Sequence, residues 1–187
     1  MSELLLNARH PAGRHPVPVT SLHEAVTQQQ LDGVRVLMRA FVAWHRQRHT
    51  ADLELIDRYF DPVAFEEELA HLPGKYGPPG GSLLLASHGA RPVGCVALRD
   101  LGEARCEMKR MFVDPELHGH GVGRQLAEGV VMAARTMGYS TMRLDTSIRR
   151  TEALGLYSSL GFRTIQPYYP LPADMSAWLV FMELNLR

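Results

Sequence analysis

Residues 113–126 read VDPELHGHGVGRQL, and this segment is the most informative part of the sequence. Three alternating glycines, Gly119, Gly121 and Gly123, follow a proline and precede an apolar pattern of helical period. Glycine in the first turn of a helix costs roughly 0.5–1 kcal/mol relative to alanine, because it loses more conformational freedom on folding. The sequence therefore predicts a loop whose backbone must come close to a bound group.

The same stretch has the features of a phosphate site. A strand that ends at Pro115 would lead through the glycines to a helix N-terminus, where free backbone N–H groups and the helix dipole attract an anion. A pyrophosphate could reach those N–H groups because the glycines carry no Cβ atom, and Arg124 would add a charge-assisted contact. A tight connection without a ligand is the alternative, although it does not require three glycines.

Two common nucleotide signatures do not fit this stretch. The Walker pattern GxxxxGK[ST] is absent, and the spacing GxGxG differs from the GxGxxG of dinucleotide-binding folds. The preceding strand is also expected to belong to a meander and not to open a doubly wound sheet. A nucleotide-binding module that prefers ATP or NAD is kept as a less favoured interpretation.

Composition narrows the classes of function. The 187 residues suit a single domain over 1–187, in which residues 1–16 are expected to run extended. The formal net charge of +0 gives no electrostatic basis for binding nucleic acid or an acidic membrane. No apolar run approaches the roughly 18 residues that span a bilayer, and no signal-peptide pattern opens the sequence. Two cysteines without a CxxC pair fit a reducing compartment, so a cytoplasmic location is expected.

Periodicity predicts an α/β domain. Apolar residues at spacings of three and four indicate a long helix over 21–49, and Asp61 is the expected N-cap of a second helix over 62–72. The unit from 106 to 146 should form a right-handed parallel crossover, so an antiparallel meander is followed by parallel central strands, flanked by about four helices. The other expected elements are strands at 82–87, 92–98, 105–113, 141–146, 162–165 and 178–184, a helix that ends before Gly138, and a helix at 151–161.

Two segments resemble the GNAT superfamily of CoA-dependent N-acetyltransferases. MKRMFVDPELHGHGVGRQLAEGVVMAARTMGY, over residues 108–139, is similar to the family's motif A, in which a strand leads into [QR]-x-x-G-x-[GA] at a helix start. LGLYSSLGF, over 154–162, resembles the second signature, a short helix that ends in Y-x-x-x-G-F. The expected element order fits the family from about residue 17 to 184. The resemblance thus covers nearly the whole chain.

The resemblance implies that acetyl-CoA binds where two parallel strands splay apart, here 105–113 and 141–146. His118 stands where the family has Gln or Arg, which suggests a CoA affinity that depends on pH; a flat affinity between about pH 5.5 and 8 would exclude this. No metal is implied, since the i,i+4 pair His45 and His49 lacks a third ligand nearby in sequence. The residues implied to bind the pantetheine and then the pyrophosphate are Met111, Phe112 and Val113, followed by His118, Gly119, His120, Gly121, Val122, Gly123 and Arg124.

Acetyl transfer to an amine requires two proton movements. A lysine-like amine, with a pKa of about 10.4, is neutral in only about one molecule in a thousand at pH 7, so a base accelerates the reaction by roughly 10²–10⁴. Tyr157, at the tyrosine of Y-x-x-x-G-F, is the implied acid for the leaving thiolate. Glu107 is the predicted base, since alternation places it on one strand face with Lys109, Met111 and Val113. The alternatives are packing for Tyr157 and a salt bridge or a water relay for Glu107.

The acceptor is expected to be a primary amine of a small molecule, amino acid or peptide. The resemblance places it between the first two helices and the segment 166–177, which holds Tyr168, Tyr169 and Asp174. Lys109 and Arg110 are expected to face solvent or substrate. Two further alternatives stay open: a non-catalytic acyl-CoA sensor, and a homodimer formed through an exposed apolar face of the last strand.

Overall fold

The computed structural model describes residues 20–187, so the expected extended segment over 1–16 lies outside the described residues. The strands are β1 (Thr20–Glu24), β2 (Ser82–His88), β3 (Arg91–Gly102), β4 (Arg105–Val113), β5 (Thr141–Ser147), β6 (Arg163–Ile165) and β7 (Leu179–Asn185). The α-helices are α1 (Gln28–Arg48), α2 (Leu53–Tyr59), α3 (Pro62–Ala70), α4 (Val122–Thr136), α5 (Thr151–Ser159) and α6 (Ala173–Trp178).

The seven described strands form one mixed sheet in the order β1-β2-β3-β4-β5-β7-β6. Strands β1 to β4 are an antiparallel meander, β4 and β5 are parallel, and β7 is antiparallel to both β5 and β6. The predicted mixed α/β sheet with a parallel centre is confirmed. The last strand lies inside the sheet and buries Leu179, Phe181, Met182 and Leu184, so β7 lacks the exposed apolar face on which a homodimer was expected.

The parallel pairing of β4 with β5 is short. It covers only Arg105–Glu107 against Thr141–Arg143. Beyond Glu107, β4 stays paired with β3 as far as Val113, and β5 stays paired with β7 as far as Ser147. Each strand therefore keeps its outer neighbour and loses its inner one, which opens a wedge in the middle of the sheet. The predicted splay of these two strands is present.

A bulge at Arg110 changes which way the side chains of β4 point. Arg110 has a φ of 56°, and the register of β4 against β3 shifts at this position. Met111 and Val113 pack into the core beneath α4, whereas Lys109 contacts Tyr59 on the opposite face of the sheet. The prediction that Glu107, Lys109, Met111 and Val113 share one face is therefore wrong. One inserted residue is enough to reverse a period of two.

The first helix begins later than its apolar period predicts. Residues 20–24 pair with β2 as a strand, and α1 starts at Gln28. Thr27 sets this start, because its side chain accepts from the Gln30 N–H while the Gln30 side chain accepts from the Thr27 N–H. The predicted helix over 21–49 is thus wrong for residues 21–27.

The other predicted helices and strands are present, and only their first or last residues differ from the prediction. The strand expected at 92–98 continues to Gly102, and Asp61 caps α3 as predicted, accepting from the Ala64 N–H at 2.9 Å. Gly138, with a φ of 84°, follows the end of α4 as predicted. Six described α-helices stand where about four were expected, since α2 and α6 have only 7 and 6 residues, too few for a clear helical period.

The side chain of Arg110, the bulged residue, forms a buried ion pair with Glu68 of α3. Its Nε and one terminal nitrogen donate to the two carboxylate oxygens at 2.7 and 3.1 Å, and its guanidinium lies over the rings of Phe60 and Phe65. Both charged side chains are about one-tenth exposed. The expectation of a solvated Arg110 is wrong, and the pair ties the bulge to α3.

Replacing Glu68 by Gln should destabilise the protein at neutral pH and progressively less in acid. Burial raises the pKa of the Glu68 carboxyl, but the contacts with Arg110 and Lys75 outweigh burial and hold that pKa at about 2. Because this lies below the ordinary value of 4.5, the carboxylate stabilises the fold above about pH 4.5, and that contribution is lost as the pH falls toward 2. We expect E68Q to lower the free energy of unfolding at pH 7 by roughly 2–4 kcal/mol.

Urea unfolding between pH 7 and pH 3 measures this difference. The control is E67Q, which removes a neighbouring carboxylate whose residue is exposed, and it should change stability little at any pH. A difference between wild type and E68Q that stays constant down to pH 3 would contradict the prediction.

Candidate active site

Two adjoining cavities open from the wedge between β4 and β5. The first, called here the splay cavity, is lined by Met108–Met111 of β4, Leu144–Ser147 of β5, and side chains from α1, α2, α5 and the end of α6. The second, called the glycine-loop groove, has a volume of about 440 Å³ and runs from the end of β4 past the N-terminus of α4. Met111 and Arg150 line both cavities, so the two meet at these residues.

The glycine loop presents bare backbone to the groove. Gly119 and Gly121 have φ values of 79° and 82°, and a Cβ atom added at either position would meet nothing within 4 Å. Gly121 is the N-cap of α4 and supplies no side-chain acceptor to the first N–H groups of that helix. These N–H groups are therefore available to an anion in the groove.

Nine of the ten residues predicted to bind the cofactor lie on the wall of this groove. The exception is His120, whose Nδ1 nitrogen lies 3.0 Å from the His118 carbonyl oxygen. The His118 ring turns back toward β4, and its Nε2 nitrogen lies 3.0 Å from the Val113 carbonyl oxygen. The sequence analysis missed the other side of the groove, because α1 and α5 come together there only in the folded chain. That side consists of Trp44, Arg48, Arg150, Glu152, Ala153 and Leu156.

Tyr157 lies on the wall of the splay cavity, next to Met111. Its hydroxyl donates to the Met111 sulfur at 3.6 Å, and its side chain is buried. Burial raises the pKa of this hydroxyl, while the positive charge of Arg150 acts in the opposite direction. Tyr157 therefore holds a proton at neutral pH and can donate it.

Glu107 lies beside the cavity and not on its wall. The carboxylate is fully buried, and one oxygen accepts from the Tyr168 hydroxyl at 2.6 Å. The Lys109 ammonium lies 3.7 Å from this same oxygen, and the other oxygen forms an ion pair with Arg99 of β3. A salt bridge to a neighbouring strand, one of the two alternatives for Glu107, is thus present.

A second buried ion pair crosses the wedge itself. The Lys109 Nζ lies 2.6 Å from a carboxylate oxygen of Asp145, which also accepts from the hydroxyls of Tyr59 and Tyr169. Burial raises the pKa of Asp145, but Lys109 and the two tyrosines outweigh burial and keep it below its ordinary value. Asp145 is therefore ionised, and the expectation of a solvated Lys109 is wrong. Of the expected acceptor residues, Tyr168 and Tyr169 reach these buried carboxylates, while Asp174 pairs with Arg58 near the surface.

Residues 20–187 contain neither a cluster of metal-ligating side chains nor a membrane-spanning helix. In that part of the chain, no three His, Cys, Asp or Glu side chains gather as metal ligands would. His45 and His49 do lie near each other, with ring centroids 5.3 Å apart. The described helices include none of the length and apolarity required to cross a membrane.

Comparison with known proteins gives a consistent result. A sequence model of the Acetyltransferase (GNAT) family matches residues 41–162. An uncharacterised N-acetyltransferase of Schizosaccharomyces pombe is 40% identical over 124 residues, which are 65% of this chain and 74% of that protein. An IAA acetyltransferase of Azospirillum brasilense is 32% identical over 137 residues, which are 72% of this chain and 88% of that protein.

Solved structures share the fold at lower sequence identity. An acetyltransferase of Streptococcus agalactiae superposes with a TM-score of 0.70 at 19% identity and covers 89% of this chain and 98% of its own. PaiA N-acetyltransferase of Thermoplasma acidophilum, solved in complex with coenzyme A, has a TM-score of 0.69 at 15% identity, with coverages of 89% and 99%. At these identities the likeness concerns the fold alone.

Replacing Gly121 by Ala should weaken the binding of acetyl-CoA by about tenfold or more, which is about 1.4 kcal/mol. Gly121 lines the groove at the N-terminus of α4, and a methyl group in the open space there would crowd a bound anion. Isothermal titration calorimetry measures the affinity. The control is G155A, an exposed position inside α5 with no neighbour within 4 Å, where alanine should leave the affinity unchanged. Equal affinities for G121A and wild type would contradict a phosphate site at this loop.

Proposed function

The chain belongs to the GNAT family of N-acetyltransferases, and from this premise we propose that it transfers the acetyl group of acetyl-CoA to a primary amine. The acceptor in this proposal is a small molecule, an amino acid or a peptide, and the transfer occurs by direct attack in a ternary complex. The observation that carries it is the meeting of the glycine-loop groove with the splay cavity at Met111. The proposed phosphate site and the proposed site of acetyl transfer would then lie on either side of the shared residues Met111 and Arg150.

Acetyl-CoA fits these two cavities in one direction. Its pyrophosphate would lie on the N–H groups of the glycine loop, with Arg124 at the side of the groove. Its pantetheine would pair with the inner edge of β4 at 111–113, which has no strand partner on the side of β5. The thioester would then reach Met111 and Tyr157. A protein of the same fold has been solved with coenzyme A bound, which supports this choice of cosubstrate.

The chemical step requires an acid at the sulfur. The amine nitrogen attacks the acetyl carbon, a C–N bond forms, the C–S bond breaks, and its electron pair goes to the sulfur. We assign the proton for that sulfur to Tyr157, whose present acceptor is the thioether of Met111, a weak acceptor that a thiolate would readily replace. No metal takes part in this proposal.

Glu107 remains the proposed base, under a condition set by its surroundings. Because its carboxylate is buried behind Tyr168, it would receive the proton of the amine through the Tyr168 hydroxyl or through a water molecule. The acceptor itself would enter along α2 and α3, where a groove of about 490 Å³ shares Tyr59, Phe60 and Arg110 with the splay cavity. Two free, buried cysteines support a reducing compartment, and we keep the cytoplasm as the proposed location.

The experiment that tests the proposal is thermal unfolding with acetyl-CoA, CoA, ATP and NAD, followed by assay of thiol release across a panel of amines. A ligand at 100 times its dissociation constant adds about 2.7 kcal/mol of stability. Stabilisation by acetyl-CoA and CoA alone, with amine-dependent thiol release, is the expected result. Stabilisation only by ATP or NAD would support a nucleotide module, and CoA binding without turnover of any amine would support an acyl-CoA sensor.

Tyr157→Phe should lower kcat with the best amine by roughly 10²-fold or more, because the leaving thiolate loses its acid. Stabilisation by acetyl-CoA should stay as in wild type, since the hydroxyl serves the chemical step. The control is Y139F, which removes another tyrosine hydroxyl that donates to Gly80 outside both cavities. Turnover by Y157F at the wild-type rate would contradict the acid role.

Glu107→Gln and Tyr168→Phe should lower kcat by similar factors, and the double variant should be little worse than either. This follows because the two residues act in one proton path, and members of one path show non-additive effects. Steady-state kinetics on the four proteins measures the coupling. Thermal unfolding of the same four proteins shows whether a lower kcat follows from lost stability, since E107Q also breaks the ion pair with Arg99. A fully additive double variant would contradict a shared path.

A further inference from the structure

Arg150 occupies the point where the two cavities meet. It is the residue just before α5, and its guanidinium lies over the rings of Phe41 and Trp44, at 4.9 and 5.8 Å from their centroids. One terminal nitrogen donates to the Met111 carbonyl oxygen at 3.4 Å. Arg150 therefore contacts the backbone of Met111, the same β4 residue whose sulfur accepts from the Tyr157 hydroxyl.

Arg150 differs from the cations around it, because it finds no carboxylate partner among residues 20–187. Its neighbour Arg149 pairs with Asp52 at 2.9 Å. The other cations along the two cavities each have an acidic partner too. These pairs are Lys109 with Asp145, Arg110 with Glu68, Arg48 with Glu152, and Arg124 with Glu128.

The Glu152 carboxylate acts on Arg150 from a distance, but it is 76% exposed and pairs with Arg48, so it does not offset the burial of Arg150. Burial and the charge of Arg150 lower the pKa of His45, on α1, to about 3, so His45 is neutral. Tyr59 on α2 and Tyr157 on α5 are neutral because burial raises the pKa of each hydroxyl. Burial lowers the pKa of Arg150 below its ordinary value, although Tyr157, Glu152 and Tyr59 act in the opposite direction. A poorly solvated cation without a partner strongly favours an anion beside it.

The position of Arg150 decides which anion this is. The pyrophosphate of the proposed cosubstrate lies on the glycine loop, and its pantetheine runs from there along β4 toward Met111. The sulfur end, and not the phosphate end, therefore arrives at Arg150. We propose that Arg150 is a further catalytic residue, which stabilises negative charge on the CoA sulfur as the thiolate leaves. This inference rests on the proposed function and adds a residue to it.

In this step Arg150 donates hydrogen bonds and keeps its protons. The electron pair of the C–S bond goes to the sulfur, which leaves as a thiolate that accepts hydrogen bonds from Arg150 and Tyr157. Tyr157 protonates it afterwards, and the proton of the amine leaves by the base. The charge of Arg150 also opposes the effect of burial on Tyr157, so it favours proton donation by that hydroxyl. An interaction that is stronger with the thiolate than with the thioester lowers the barrier to transfer.

The ionisation of bound CoA tests the assignment without any acceptor. The thiolate has its own ultraviolet absorbance, so CoA bound to excess protein can be titrated from pH 6 to pH 10, with the acetyl-CoA complex as the blank. Burial raises the pKa values of the Cys95 and Cys106 thiols to about 12, so neither contributes in this range. We expect the thiol of CoA, ordinarily near pKa 8.5 for a cysteine-like group, to ionise at least one pH unit lower in wild type.

Variants at two adjacent arginines make the test specific. R150Q should shift the ionisation of bound CoA back toward its free value and lower kcat by about tenfold or more, whereas R150K should retain most of the shift. R149Q removes the same charge from the neighbouring position and should behave as wild type in both measurements. Thermal unfolding confirms that each variant is folded.

The outcomes separate this inference from the function on which it rests. An unshifted thiol in wild type, or the same shift in R150Q, overturns the role of Arg150 while CoA binding leaves the acetyltransferase proposal in place. The first of these results is also the one expected if Arg150 binds a carboxylate of the acceptor. A wild-type protein that does not bind CoA at all overturns both proposals.

Discussion

The loss of pairing between β4 and β5 beyond Glu107 creates the space from which the two cavities of the candidate site open. Continuous parallel strands would leave no space between α1 on one face of the sheet and α5 on the other. The bulge at Arg110 turns β4 away, and the buried pair of Lys109 with Asp145 spans the gap that results. Because β3 and β7 hold the outer edges, the wedge opens without breaking the sheet.

Buried charge is arranged around this wedge in a consistent way. The buried Lys109, Arg110 and Arg99 each form an ion pair with a carboxylate. Tyrosine hydroxyls donate hydrogen bonds to the same carboxylates. Such pairs contribute modestly to stability, but breaking one leaves an uncompensated charge, so they fix the geometry of the cavity. Arg150, which has no ion-pair partner among residues 20–187, lies where the proposed reaction produces an anion.

The sequence predicted the parts of the site that are local and failed where distant residues meet. Alternating glycines before an amphipathic pattern predict the loop and α4, because φ angles and helical period depend only on a short segment of sequence. Nothing in the string MKRMFV marks Arg110 as the bulged residue. The bulge places Met111 and Val113 on the face of the sheet opposite Glu107. The partners of Lys109 and Glu107 come from β5 and from the segment after β6, which only the strand order brings together.

A crystal structure of the protein with CoA would show directly where the cofactor lies. We expect pantetheine amides paired with the backbone of β4 at 111–113, a pyrophosphate on the N–H groups at the start of α4, and a sulfur atom between Tyr157 and Arg150. CoA bound outside the wedge, or with its sulfur directed away from Met111, would contradict the central claim that the splayed strands form the site of acetyl transfer.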